Sequence, residues 1–168
     1  MSRYDRTTRN CLVSELPTEL LQAVRDYSQE QQLGDVEAET LFCCETLSTK
    51  KSAGRLPSWL EDDLDATLHT ALLLTPQWLI WARQGDRTKP VVMAANLKDI
   101  QVKAYTSRFT KDTGLEIVGY IGVARRRARG YVGLGADAAA QEFCEAVKAA
   151  ISKVNPPAQR RPLKWWGG

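Results

Sequence analysis

Histidine is all but missing from this chain of 168 residues: His69 is the only one. A Cys/His or Ser/His/Asp arrangement can therefore rest only on His69. Its neighbours Leu68 and Thr70 form no nucleophile elbow, and no Glu or His stands at metal-ligand spacing from it. A structural role is expected for it. Cys-x-x-Cys is absent too, which removes the usual zinc signature. The four cysteines are Cys11, Cys43, Cys44 and Cys144. Adjacent Cys43 and Cys44 would point to opposite faces of a strand, and a chain of this length needs no disulfide staples. Reduced thiols in a reducing, cytoplasmic setting are expected. Long apolar runs are also lacking: stretches such as residues 71–74 fall far short of the ~20 residues of a membrane span. Residues 1–10 are polar, with Arg3, Arg6 and Arg9, and carry no apolar core of a secretory signal. Charge of one sign is scarce as well. The net charge of +3 gives no bulk attraction to nucleic acid or membrane, so either partner would need a local cluster. Gly130, Gly133 and Gly135 are ordered wrongly for a dinucleotide fingerprint and no Walker lysine follows them. No cofactor, metal or catalytic residue is expected.

What is present suits one globular domain with appended segments: 43% hydrophobic and 26% charged residues. Residues 1–14 read as a loose arm. Pro17 opens a helix whose Leu20, Leu21, Val24 and Tyr27 share a face, and Gly34 closes it. Residues 40–49 change to strand-forming types. Residues 50–65 form a long connection with an acidic patch, Glu61, Asp62 and Asp63; Trp59 and Leu60 within it are expected to tuck back onto the core. From residue 66 the pattern is β: 67–74, a turn at 75–77, a return strand 78–83, then 90–97, 100–105, 115–121 and 130–134. In 100–105, Ile100, Val102 and Ala104 take one face and Gln101, Lys103 and Tyr105 the other. Asp137 is a plausible N-cap for a closing helix over 137–154, with Phe143, Val147 and Ile151 in its buried stripe. Asn155-Pro156-Pro157 stops it. The organisation is thus an arm and helix over 1–39, a domain over 40–154 and a tail over 155–168. Short turns between consecutive strands demand antiparallel pairing, so the expectation is α+β: a curved sheet or partly open barrel of about seven strands, capped by one helix.

This order resembles the pleckstrin-homology-like superfold, in particular small bacterial PH-like and GRAM-like domains. The hairpin over residues 71–81, the Leu97-Lys98-Asp99-Ile100 junction within 91–102, and the last strand and helix over 130–154 carry the resemblance. It covers roughly residues 40–154, leaving the first helix and the tail outside. It implies a binding module without naming a ligand, because a shared fold does not assign function.

Two features stand out as candidate contacts. Arg125, Arg126, Arg127 and Arg129 crowd a predicted hairpin tip, where they concentrate positive potential and can clamp phosphates or carboxylates. A solvated turn that protects a sheet edge is the plain alternative. Tyr120 and Tyr131 flank the tip, which keeps base stacking in view. The tail holds Arg160, Arg161, Lys164, Trp165 and Trp166. Each indole offers ~150–250 Å² of burial, so something should cover it: its own domain, a partner groove or a membrane interface. The function expected is a protein-interaction or assembly module. A peripheral binder of anionic membrane is the rival, and an RNA-associated factor a weaker one, since nucleic acid is the partner least favoured by the composition.

Overall fold

The computed structural model of the protein describes residues 4–51, 65–106, 112–122 and 126–156. Eight strands run through these residues: β1 (Tyr4–Asn10), β2 (Phe42–Lys50), β3 (Thr67–Leu74), β4 (Trp78–Gly85), β5 (Val91–Asn96), β6 (Ile100–Thr106), β7 (Thr113–Ile121) and β8 (Arg126–Gly133). Three helices accompany them: α1 (Thr18–Glu30), the single turn α2 (Val36–Glu39) and α3 (Ala138–Val154). All neighbouring strands are antiparallel, in a five-stranded sheet β1-β2-β3-β4-β5 and a three-stranded sheet β6-β7-β8. Seven of the strands fall in the region where about seven were expected. They form two separate sheets rather than one continuous curved sheet, and among the described residues no barrel closes.

Each face of the five-stranded sheet carries its own core. On one side, Cys44, Leu72, Leu79 and Trp81 pack with Leu115, Ile117 and Val132 of the small sheet and with Phe143 and Val147 of α3. On the other, Leu20, Leu21 and Val24 of α1 cover Cys43, Ala71, Leu73, Ile80 and Ala82. The period-two alternation sends Cys43 and Cys44 into opposite cores, as adjacent strand residues must. Coverage on both faces also explains why β3 ends in five consecutive buried positions. Phe143 is fully enclosed and meets Phe42 edge-on, with centroids 5.7 Å apart. Ile151 is only partly buried at the far end of the same stripe.

Residues 4–10 are not a loose arm; they form β1, paired along its whole length with β2. The reason is tertiary. Their inward side chains are polar, and each finds a distant partner. Arg6 bonds Asp112 at 2.6 Å. Thr8 Oγ1 shares a buried hydrogen bond with Thr46 at 2.8 Å and accepts one from the Gly135 backbone. The Asn10 amide donates to Glu142 of α3. β1 is thereby the strap that joins the large sheet to the small sheet and the closing helix. Gly133 makes room for this: a Cβ there would stand 2.5 Å from Arg6 Nε. Gly119, at φ +149°, is needed for a different reason. It passes so close to the start of β6 that a Cβ would collide with the Asp99 carbonyl and stand 2.8 Å from Ile100 Cα.

Candidate functional site

The outer face of the small sheet holds Arg127 and Arg129 of the sequence-predicted contact set. Along β8, Val132 and Gly130 face the core, so Arg127, Arg129 and Tyr131 face outward. The register sets Tyr120 opposite Arg127, Val118 opposite Arg129, and Glu116 between Lys103 and Tyr131. Tyr105 (37% exposed), Tyr120 (50%) and Tyr131 (43%) all look into solvent. Tyr105 and Tyr131 pack edge to face, centroids 4.8 Å apart, and the Tyr131 hydroxyl donates to the Thr113 carbonyl at 2.8 Å. Burial raises the pKa of Tyr131 above the ordinary phenol range. Arg129 Nε reaches Glu116 Oε1 at 3.0 Å across the strand pair.

This corrects the arginine cluster. Arg126, Arg127 and Arg129 belong to a strand, not to a hairpin tip; Arg125 lies outside the described residues. Long arginine stems are tolerated on the wet face of a strand, so a run of charge alone does not end pairing. Period two splits the run, leaving Arg127 and Arg129 on the open face. Arg160, Arg161, Lys164, Trp165 and Trp166 all lie outside the described residues, as do Trp59, Leu60 and Glu61, Asp62 and Asp63. The root of the tail is described, however. Asn155 Nδ2 donates to the Lys98 carbonyl at 3.2 Å, and Asn155 lines a cleft of about 600 Å³ together with Ile100, Val118, Tyr120, Arg127 and Ile151. The end of α3 and the arginine strand therefore meet at one edge of the domain.

No protein-family model matches this chain, and neither does any curated protein or any solved structure. Residue geometry alone carries the reading that follows.

Two further places hold charge. A cleft of about 500 Å³ opens between the end of the large sheet and β8, lined among others by Tyr4, Arg6, Trp81, Arg83, Lys89 and Tyr131. On the opposite face of the large sheet, Glu45 lies directly across from Arg9, and Arg9 Nε and Nη2 reach its Oε2 at 2.9 and 2.7 Å. His69 Nδ1 contacts Oε1 at 3.0 Å. Both carboxylate oxygens are engaged, and the trio ties β1, β2 and β3 together. Burial pushes the Glu45 carboxyl up, but the hydrogen bonds from His69 and Arg9 and the Arg9 charge outweigh it and leave it below the usual range. Sequence reading missed Arg9 and Glu45. Only the β1–β2 register, invisible without recognising β1, brings them together. Tyr105 and Lys103 were placed on the right face by alternation, but nothing local linked them to β8.

Proposed function

We propose that this protein is a non-catalytic protein-interaction module of PH-like architecture, and that its contact surface is the outer face of β6–β8 continued by the basic tryptophan tail. The architecture is supported by strand order: four antiparallel strands, β2–β5, then three, β6–β8, then a helix packed between the two sheets. One observation carries the surface. The centre of the large sheet is covered on both faces, whereas the outward side chains of the small sheet are exposed, and three of them are tyrosines set beside Lys103, Arg127 and Arg129. Tyrosine and arginine are residue types that anchor protein interfaces: tyrosine buries much area with little loss of side-chain freedom, and the planar fork of arginine binds carboxylates in pairs of hydrogen bonds. The cations select a partner with acidic side chains.

The same tyrosines favour one second reading. Aromatic rings on an open sheet, interleaved with cations, also suit stacking of unpaired bases.

The test uses the full chain and a Tyr120→Ala, Arg127→Glu variant. A partner captured by the wild type is identified, purified and titrated against both. The reading predicts at least tenfold weaker binding for the variant with an unchanged unfolding midpoint. Parallel titrations with single-stranded RNA and with anionic and neutral vesicles separate the rivals. Salt-sensitive binding to RNA that the variant loses would replace the protein reading with the nucleic-acid one. Binding to anionic vesicles alone would replace it with a membrane-surface reading.

A further inference from the structure

We propose that Cys11 and Cys43 form a reversible disulfide site, closed by exchange with a small-molecule disulfide and reopened by a dithiol. The observation is positional. Cys11 continues the β1–β2 ladder by one residue beyond the Asn10–Cys44 pair, and its N–H donates to the Cys43 carbonyl at 3.1 Å. The two sulfurs stand 3.7 Å apart. Directly opposed residues of antiparallel strands have Cα atoms ~4.5–5.5 Å apart, inside the ~4.4–6.8 Å that a disulfide spans. Closing the remaining gap therefore takes side-chain rotation and not backbone movement. Cys44 points into the other core, and Cys144 is buried with it there.

The two thiols are unequal in a way that suits exchange. Cys11 is partly exposed, while Cys43 is buried beneath α1. The Cys43 thiol contacts the Cys11 sulfur, and Arg9 stands nearby. Together they lower the Cys11 pKa against the opposing effects of burial, Glu45 and Glu15. The same contact, then burial, pushes Cys43 up. Cys11 is thus the entering nucleophile. Its thiolate attacks one sulfur of the small disulfide, breaks that S–S bond and releases one thiolate, which takes up the proton Cys11 has lost. The Cys43 sulfur then attacks Cys11 Sγ in the mixed disulfide. A second thiol departs with the Cys43 proton. Two protein thiols are oxidised and one small disulfide is reduced to two thiols.

The bond would staple the exit of β1, and with it the approach to α1, onto β2. The ring so closed contains α1 and α2.

The experiment treats the folded full chain with oxidised glutathione, then with dithiothreitol, and counts free thiols after denaturing quench. Expected are a fall from four thiols to two, a mapped Cys11–Cys43 crosslink, an unfolding midpoint raised by roughly 5–10 °C, and full reversal by the dithiol. Cys11→Ser and Cys43→Ala should each abolish the internal bond, while Cys144→Ser should keep it. Glutathione retained on Cys11 without an internal bond, a crosslink that uses Cys44 or Cys144, or four thiols surviving treatment would each overturn the proposal.

Discussion

The backbone N–H of Thr8 donates to Asp137 Oδ2 at 2.7 Å, joining two residues 129 positions apart. The other oxygen of the same carboxylate accepts from Ala140 N at 3.1 Å and caps α3. One side chain thus holds the edge of β1 and the start of the closing helix together.

Asp137→Ala should therefore cost more than an ordinary cap. A lost cap is typically ~1 kcal/mol, and an unmet backbone donor at β1 adds ~1–3 kcal/mol. The expected loss is about 2–4 kcal/mol in a denaturant melt. Asp137→Asn keeps an acceptor for the cap and should lose clearly less. Equal losses in the two variants would mean that the cap bond to Ala140 contributes nothing.

Gly133→Ala should displace Arg6 and break its 2.6 Å pair with Asp112. The signature is non-additivity. In a double-mutant cycle with Arg6→Ala, the second substitution should cost much less once the first is present, with a coupling of about 0.5–3 kcal/mol. Additive losses would show that the two side chains do not compete for the same space.

Phe143→Ala should destabilise by about 3–5 kcal/mol, because the ring is fully enclosed and its removal leaves a cavity beside Phe42. Ile151→Ala, at the half-open end of the stripe, should cost distinctly less. Comparable losses would place Ile151 in the core proper.

Glu45 makes stability depend on acid. Its folded pKa lies below the unfolded one, so its contribution is fully present above the ordinary carboxyl range. It is lost as pH falls through the folded value. Measured from about pH 6 down to about pH 3, the unfolding free energy of the wild type should fall more steeply than that of Glu45→Gln. Parallel curves would mean that the Arg9–Glu45–His69 trio is energetically silent.

The Trp165→Ala, Trp166→Ala double variant should keep the wild-type unfolding midpoint and lose its partner. A buried tryptophan anchor commonly contributes more than ~2 kcal/mol, or about thirtyfold in affinity. A variant that retains binding but melts much earlier would make the tail a strap on its own domain.

Local pattern alone determined a good part of this protein. The turn at Thr75-Pro76-Gln77, the strands on either side of it, the α1 stripe of Leu20, Leu21 and Val24, and α3 with its Asp137 cap all follow from sequence periods and turn chemistry. Those signals act within a few residues, so they survive without knowledge of the rest of the chain. Tertiary structure decided three other things. Residues 4–10 became a strand because β2 lies beside them and Asp112, Thr46 and Asp137 satisfy polar groups that carry no apolar alternation of their own. Arg126, Arg127 and Arg129 were drawn into β8 because β7 offers them backbone partners, and the pleat then set Arg127 and Arg129 on the outer face. The open tyrosine face exists because α1 covers the large sheet and α3 fills the space between the sheets, leaving the far side of β6–β8 bare among the described residues. Which face of a sheet stays wet depends on where distant helices find apolar surface to bury, and no single strand's sequence encodes that.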